Sequence, residues 1–117
     1  MKKTGDIGEI IAIEYLQKHD FTIRDTNFKF GRFGEIDVIA EKFGRVYFIE
    51  VKYRTHLGYG HPEEAIVPHK LYKCLKTMQY YCKRNGLDLE NIQFDVLAIL
   101  KKQTAHQVTH YKNIELY

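Results

Sequence analysis

This 117-residue sequence lacks most features that are typical of specialised classes of protein. Cysteine, for example, is scarce. The two cysteines, Cys74 and Cys82, have a spacing that fits neither CxxC nor a zinc-binding pattern. On one helix they would stand about 12 Å apart, which is too far for a disulfide bond. We therefore expect two small buried apolar residues, and a reduced, cytoplasmic compartment for the protein.

Long apolar runs are missing as well. Lys2 and Lys3 are not followed by the apolar core of a signal peptide, and no segment approaches the ~18 apolar residues of a membrane span. Repeats, linkers and low-complexity segments are also absent. The sequence therefore predicts one globular domain over residues 1–117 that does not enter a membrane, which agrees with its 44% hydrophobic and 28% charged residues.

A strong excess of one charge is the third missing feature. The net charge is +3 and the pI is near 8.8, which is compatible with a nucleic-acid partner but does not identify one. The distribution is more informative, because the segment from Lys70 to Arg84 contains five bases and no acid. This basic face is either a solvated surface or a surface that contacts phosphates, and the sequence alone favours neither.

Among the residues that are present, segment 46–54 has the clearest pattern, because it is rich in β-branched and aromatic residues and closely follows a glycine. In a strand, alternate side chains share a face, so Glu50, Lys52 and Arg54 continue a face that begins with apolar residues. Charged side chains in such a position are costly to bury unless they are paired or bind a metal. They are either the surface charges of an edge strand or part of a cleft.

Hydrophobic periodicity and turn residues divide the whole chain into helices and strands. The predicted order is helix 4–18, strands 21–30, 35–41 and 46–54, a long loop over 55–69, helix 68–84, and strands 92–100 and 107–117. The first three strands form a meander, and the second helix is a crossover. This order, α-β-β-β-α-β-β, predicts an α/β fold in which helices flank a mixed β-sheet.

Asp37 breaks the pattern of its own strand, the second in the chain. Alternation places Ile36, Val38 and Ala40 on one face of that strand and Asp37 on the other. A mid-strand aspartate is disfavoured by β-propensity, and a residue that breaks a local rule often marks a site. Because a hairpin turn makes the second and third strands antiparallel neighbours, we expect Asp37 to lie near Glu50.

Two further acids fall inside predicted elements. Glu9, on the first helix, either caps that helix or faces a site. Asp95, in the middle of a strand, is either catalytic or satisfies backbone or basic groups in the core. The predicted sheet makes Glu9, Asp37, Glu50 and Lys52 candidates for one cluster. Carboxylates suit a hard cation such as Mg²⁺, and a nearby lysine stabilises a pentavalent phosphate, so the set predicts phosphodiester hydrolysis.

The order of these residues resembles that of the PD-(D/E)xK nuclease superfamily. A helix with Glu9 precedes Asp37, and Glu50-Val51-Lys52 follows on the next strand. The chain more closely resembles the YraN-like family of small bacterial proteins, in segments spread over nearly its whole length. These segments are Gly5-Asp6-Ile7-Gly8-Glu9, Thr26-Asn27-Phe28, Gly34-Glu35-Ile36-Asp37-Val38-Ile39-Ala40, Phe48-Ile49-Glu50-Val51-Lys52-Tyr53-Arg54 and Phe94-Asp95-Val96.

That resemblance implies a restriction-endonuclease-like core and a site that binds Mg²⁺ or Mn²⁺. Asp37 and Glu50 would be metal ligands, together with the carbonyl of Val51. Lys52 would be the catalytic lysine, and Glu9 would reach the metal through water, as in archaeal Holliday-junction resolvases. Branched or flapped DNA as the substrate, and a homodimer as the assembly, are implied in the same way.

Arg54, Lys70 and Lys73 are the candidate phosphate contacts. The sequence thus favours a metal-dependent DNA nuclease and leaves two alternatives. One is a non-catalytic nucleic-acid-binding or adaptor protein on a nuclease fold, since a fold does not fix a function. The other is that Glu50 and Lys52 form an ion pair that only stabilises the fold.

Overall fold

The computed structural model of the protein describes residues 4–55 and 68–115, with the side chains of 4–6 and 68–71 outside that description. Its elements are helix α1 (Thr4–Lys18), strands β1 (Thr22–Phe30), β2 (Gly34–Lys42) and β3 (Arg45–Arg54), helix α2 (Pro68–Asn85), and strands β4 (Ile92–Lys101) and β5 (His106–Tyr111). A short 3₁₀ turn, Leu89–Asn91, precedes β4. The order agrees with the prediction, and the loop predicted before α2 lies mostly outside the described residues.

The five described strands form one mixed sheet in the order β1-β2-β3-β4-β5. Neighbours are antiparallel except β3 and β4, which are parallel and are separated in the chain by α2. The predicted meander and crossover are therefore confirmed, because parallel strands require a long connection. The β2–β3 turn uses left-handed backbone at Phe43 and Gly44, with φ of 51° and 79°, as two-residue hairpin turns do.

The last strand is shorter than the sequence predicts. The predicted strand over 107–117 is wrong at 112–115, because β5 ends at Tyr111, and residues 116 and 117 lie outside the described part of the chain. Asn113 has a φ of 56°, a left-handed conformation that turns the chain out of the strand. The chain still lies against β4 after this turn, because the N–H of Ile114 donates to the carbonyl of Phe94 at 2.7 Å.

Each face of the sheet buries its own apolar cluster. The cluster under α2 contains Ile36, Ile39, Val46, Phe48, Cys74, Met78, Tyr81, Cys82, Phe94 and Val96. The cluster under α1 contains Ala12, Leu16, Val38, Ala40, Ile49, Leu97 and Ile99. The two helices thus cover opposite faces, and both cysteines are buried on α2 without a disulfide bond, as predicted.

Side chains along β3 alternate between the two faces as predicted. Val46 and Phe48 pack under α2, whereas Ile49 packs under α1. Glu50 lies two residues beyond Phe48, so it continues the α2 side of the strand.

Side chains along β2 do not follow the predicted alternation. Val38 and Ala40 pack under α1, but Ile36 packs under α2 together with Ile39. The prediction that Ile36 shares a face with Val38 and Ala40 is therefore wrong, because the alternation slips by one position at Asp37.

Helix α1 buries only part of its apolar surface. Apolar residues almost surround it, yet Ile7 and Ile10 are 41% and 38% exposed, while Ala12 and Leu16 are fully buried. A helix on one face of a sheet presents a single stripe to the core, and the rest of its surface faces solvent. Neither helix in the described part of the chain has the length and apolar character that crossing a membrane requires.

Candidate functional site

Strands β2 and β3 separate at the point where two of the predicted acids lie. The pairing runs from the turn to Val38 opposite Ile49, so Asp37 and Glu50 are the next residues outward. Here the Asp37 side chain links the two strands, because its Oδ2 accepts a hydrogen bond from the N–H of Val51 at 2.8 Å. The register therefore brings Asp37 near Glu50, as the hairpin predicts.

Glu50 and Lys52 form an ion pair on the α2 side of β3. The Lys52 Nζ lies 3.2 Å from the Glu50 Oε1, and the two side chains are 13% and 8% exposed. Because β3 lies between β2 and β4, the interpretation of these residues as surface charges of an edge strand is wrong. Pairing lowers the cost of burying the two charges within the sheet.

A cavity of about 430 Å³ opens beside these acids, and we call it the acid cavity. The described residues that line it are Lys29, Gly31, Arg32, Phe33, Gly34, Glu35, Asp37, Glu50, Lys73 and Cys74. Lys29 and Arg32 are exposed, whereas Glu50 is buried. The acid cavity therefore combines solvent-facing bases with a carboxylate held inside the fold.

The lack of a side chain at Gly34 lets α2 approach β2 at the wall of the acid cavity. A Cβ at Gly34 would collide with the Thr77 hydroxyl and crowd the backbone carbonyl of Lys73. This close approach places Lys73 and Cys74 on the cavity wall opposite the strands.

Glu9 is not among the described residues that line the acid cavity. Its Oε1 accepts a hydrogen bond from the Asn27 Nδ2 at 2.8 Å. Asn27 has a φ of 51°, and the β1–β2 register places it across from Asp37. Glu9 therefore holds Asn27, which lies beside Asp37. The contact of Glu9 with a metal through water stays a prediction.

The three predicted phosphate contacts have different positions. Lys73 lines the acid cavity. Arg54 lies at the end of β3, where its Nη1 donates to the carbonyl of Tyr53 at 3.0 Å. Lys70 lies in the first turns of α2, and its side chain falls outside the described residues. The structure thus brings Lys73 together with Asp37 and Glu50.

The described residues of the acid cavity do not form a ready-made protein cage for a metal ion. Among the described side chains of 7–55 and 72–115, no three of His, Cys, Asp or Glu form a group that could hold a metal. Glu9 does not join Asp37 and Glu50 in such a group. Mg²⁺ does not need one, because one or two carboxylates commonly hold it together with water and phosphate oxygens.

Asp95 lies in a different environment, on the α1 side of β4, in what we call the Asp95 network. Its Oδ1 accepts hydrogen bonds from the Gln93 Nε2 at 2.8 Å and from the N–H of Asn113 at 2.9 Å. Its Oδ2 lies 2.7 Å from the His110 Nε2, and the Tyr15 hydroxyl lies 3.2 Å from the His110 Nδ1. Burial, and then the charge of Asp95, raise the pKa of Tyr15. These contacts support the structural interpretation of Asp95.

Several residues around the acids were not selected from the sequence, namely Asn27, Lys29, Arg32 and Phe33. Asn27 carried a usable signal, because asparagine tolerates left-handed backbone and lies in the Thr26-Asn27-Phe28 motif. The other three belong to a segment that was recognised only as a strand end and a turn. Their place in the acid cavity depends on how α2 packs, which local sequence does not encode.

Comparisons with known proteins place this chain among relatives of similar length. A family model described as "Uncharacterised protein family UPF0102" matches residues 8–99. A UPF0102 protein of Persephonella marina is 38% identical over 102 residues, which is 87% of each chain. A UPF0102 protein of Chlorobium phaeobacteroides is 43% identical over 96 residues, covering 82% of this chain and 75% of that protein. Another, of Flavobacterium psychrophilum, is 35% identical over 109 residues, covering 93% and 90%.

The matched region contains the acid pair Asp37 and Glu50, together with Lys52, Glu9 and Lys73. The names of these relatives state no activity. The family model covers most of the chain, and the relatives align along nearly its whole length. The chain therefore belongs to the UPF0102 family, the YraN-like family that its motifs resemble.

Proposed function

We propose that this protein is a metal-dependent nuclease that hydrolyses phosphodiester bonds in DNA, on a restriction-endonuclease-like core. The observation that carries the proposal is the meeting of Asp37 and Glu50, from two strands, at one cavity, with Lys52 3.2 Å from Glu50. Two acids and a lysine in this arrangement supply what phosphodiester hydrolysis requires of a protein.

The donor set fits Mg²⁺ or Mn²⁺. Asp37 and Glu50 offer carboxylate oxygens, which these hard cations prefer, and the Val51 carbonyl is the third ligand that the motif implies. The volume of about 430 Å³ leaves room for water and a phosphate group beside the two acids. When bound, the cation would neutralise phosphate charge and lower the pKa of an attacking water.

The protein's own residues then have separate roles. Lys52 provides a positive charge beside the acid pair, which stabilises charge that develops on the phosphate. The N–H of Val51 donates to Asp37 and fixes the orientation of that carboxylate. Lys73 and Arg32, on the lining of the acid cavity, attract the phosphate backbone of DNA.

The test is a cleavage assay on duplex, flapped, branched and single-stranded DNA, with Mn²⁺ or with EDTA. We expect cleavage with Mn²⁺, none with EDTA, and a loss of about 100-fold or more in Glu50→Gln and Asp37→Asn. Glu14→Gln is the matched control, because Glu14 is exposed on α1, and this variant should cleave as the wild type does.

Two results would overturn the proposal. One is a wild-type protein that cleaves none of these substrates with either Mg²⁺ or Mn²⁺. The other is cleavage that EDTA and Glu50→Gln leave unchanged, which would indicate a contaminating enzyme. Unfolding curves of each variant separate loss of chemistry from loss of fold.

A non-catalytic nucleic-acid-binding or adaptor protein is the second candidate. It is favoured by the net charge of only +3, which is small for an enzyme that binds DNA by itself. It predicts binding that weakens with salt, that EDTA does not alter and that Glu50→Gln retains. Cleavage by the wild type and not by Glu50→Gln excludes it.

A further inference from the structure

Aromatic rings form a continuous row beside the acid cavity, and we call this row the aromatic ledge. Its members are Tyr80, Phe30, Phe33 and Tyr72, from β1, the β1–β2 turn and α2. Phe30 stacks on Tyr80 with ring centroids 4.2 Å apart and planes 9° apart. Phe33 continues the row at 5.6 Å from Phe30, and Tyr72 follows at 6.3 Å from Phe33.

The outer half of the aromatic ledge is open to solvent. Phe33 is 41% exposed and Tyr72 is 51% exposed, whereas Tyr81, also on α2, is 2% exposed. Phe33 is also part of the cavity lining. An exposed phenylalanine contributes little to the core, and the exposed part of its ring can contact a flat partner.

Basic side chains accompany the exposed rings. Arg32 precedes Phe33, and Lys73 follows Tyr72, and both bases line the acid cavity. The Lys76 Nζ lies 5.6 Å from the centroid of the Tyr72 ring. Rings that stack on bases, beside cations that bind the backbone, are the combination by which proteins hold single-stranded nucleic acid.

We infer that the aromatic ledge binds an unpaired stretch of nucleic acid, with a base stacked on Phe33 and the next on Tyr72. The phosphates between them face Arg32 and Lys73. The inference rests on the proposed function, because a strand held there leads its backbone into the acid cavity. A base in a duplex has both faces covered by its neighbours, so it cannot stack in this way. The ledge therefore selects strands that are unpaired at the site.

The experiment measures binding in EDTA, without cleavage. Fluorescence anisotropy compares a labelled single-stranded oligonucleotide with the duplex of the same sequence at one salt concentration. We expect the single strand to bind at least about tenfold more tightly, and Phe33→Ala or Tyr72→Ala to weaken its binding by about tenfold. A 2-aminopurine in the strand reports stacking, and its fluorescence should fall on binding to the wild type.

Phe43→Ala is the matched control, because Phe43 is 94% exposed at the β2–β3 turn, away from the acid cavity lining. This variant should bind as the wild type does. Phe33→Leu and Tyr72→Leu keep apolar bulk without an aromatic face, so they should lose affinity while their unfolding curves stay close to that of the wild type. A strand of RNA tests whether the sugar matters, and equal affinity for RNA and DNA supports recognition by stacking.

Equal affinity for duplex and single strand would overturn the inference. So would wild-type binding by Phe33→Leu and Tyr72→Leu, or 2-aminopurine fluorescence that does not change. These outcomes are independent of the proposed chemistry, because EDTA is present and Asp37 and Glu50 are unaltered. Conversely, a protein that binds single strands through Phe33 but never cleaves them would support the aromatic ledge as a binding site and contradict the proposed nuclease activity.

Discussion

The acid cavity and the Asp95 network place carboxylates on opposite faces of one sheet, in opposite surroundings. Asp95 is 0% exposed, and its two oxygens meet Gln93, Asn113 and His110 within 2.9 Å. Glu50 is 6% exposed, but it borders a cavity of about 430 Å³ that opens to bases. The first carboxylate faces protein donors on each oxygen, whereas the second faces a space large enough for a ligand.

This difference shows that two buried acids of one sheet can have different surroundings. Both carboxylates lie within otherwise apolar strands, where a charge is costly to bury unless it is paired. What separates them is the space beside each carboxylate, because protein donors surround Asp95 whereas Glu50 borders the acid cavity. An acid that borders a cavity can in addition contact a group that enters the cavity.

The largest expected effect concerns stability, and it comes from Asp95→Ala. This change leaves the Asn113 N–H, Gln93 and His110 without their acceptor, so we expect a loss of about 3 kcal/mol or more in the free energy of unfolding. Urea denaturation measures it. Asp88→Ala is the control, because Asp88 is exposed and caps only the 3₁₀ turn, and it should cost about 1 kcal/mol. Equal losses of unfolding free energy in Asp95→Ala and Asp88→Ala would contradict the structural role of Asp95.

The next largest effect concerns metal binding, which we expect at the acid cavity and not at the Asp95 network. At tenfold its Kd, Mn²⁺ that binds only the folded protein adds about 1.4 kcal/mol to stability. We expect this gain in the wild type and in Asp95→Asn, but not in Asp37→Asn or Glu50→Gln. Thermal unfolding with Mn²⁺ or EDTA measures the shift. A gain in stability that Asp95→Asn abolishes, or that Glu50→Gln retains, would contradict the acid cavity as the metal site.

Glu50→Gln should have a smaller effect on stability without metal, within about 1 kcal/mol of the wild type. Water in the acid cavity can solvate the amide, and the amide oxygen of the glutamine can still accept a hydrogen bond from Lys52. The structural alternative predicts the opposite, because breaking a buried ion pair costs about 3–5 kcal/mol. Urea denaturation in EDTA decides between them, and a large loss would make the Glu50–Lys52 pair structural.

The smallest effect is expected at alkaline pH, on both faces. Burial raises the pKa of Tyr15 and of Tyr81 above the usual value of about 10. Above pH 10 the unfolded chain loses these protons while the folded protein keeps them, so stability falls as the pH rises. Tyr15→Phe and Tyr81→Phe should each make this decline shallower. Unfolding free energies between pH 9 and 11 measure it, and an unchanged slope in both variants would contradict the assignment.

Much of the fold follows from local pattern, and the exceptions have physical causes. Helix α1 ends at Lys18 as predicted, and alternation along β3 places Phe48 and Glu50 correctly, because these signals are read within one element. Alternation fails at Ile36, where β2 leaves β3 and the Asp37 side chain bonds to the partner strand. Alternation also does not predict that β5 ends at Tyr111, because the bend at Asn113 lies beyond the strand.

The candidate site was predictable in its acids and not in its surroundings. Asp37 and Glu50 violate strand preferences, so the sequence marks them, and the hairpin brings them together. The contact of Glu9 with Asn27 joins α1 to β1, and no periodicity indicates it. Phe33 joins the acid cavity only because α2 packs across the sheet at Gly34. Such contacts between distant segments are fixed by tertiary packing.

The single parallel strand pair among the described strands sets an order for folding. Asp37 and Glu50 lie on the hairpin β2–β3, and Asp95 and His110 lie on the hairpin β4–β5, each of which can form in roughly 1–10 μs. The two hairpins join only where β3 meets β4, across a crossover that must close a long loop. We therefore expect the acid pair to meet early in folding, while the cavity wall from α2 arrives with the rate-limiting closure of the sheet.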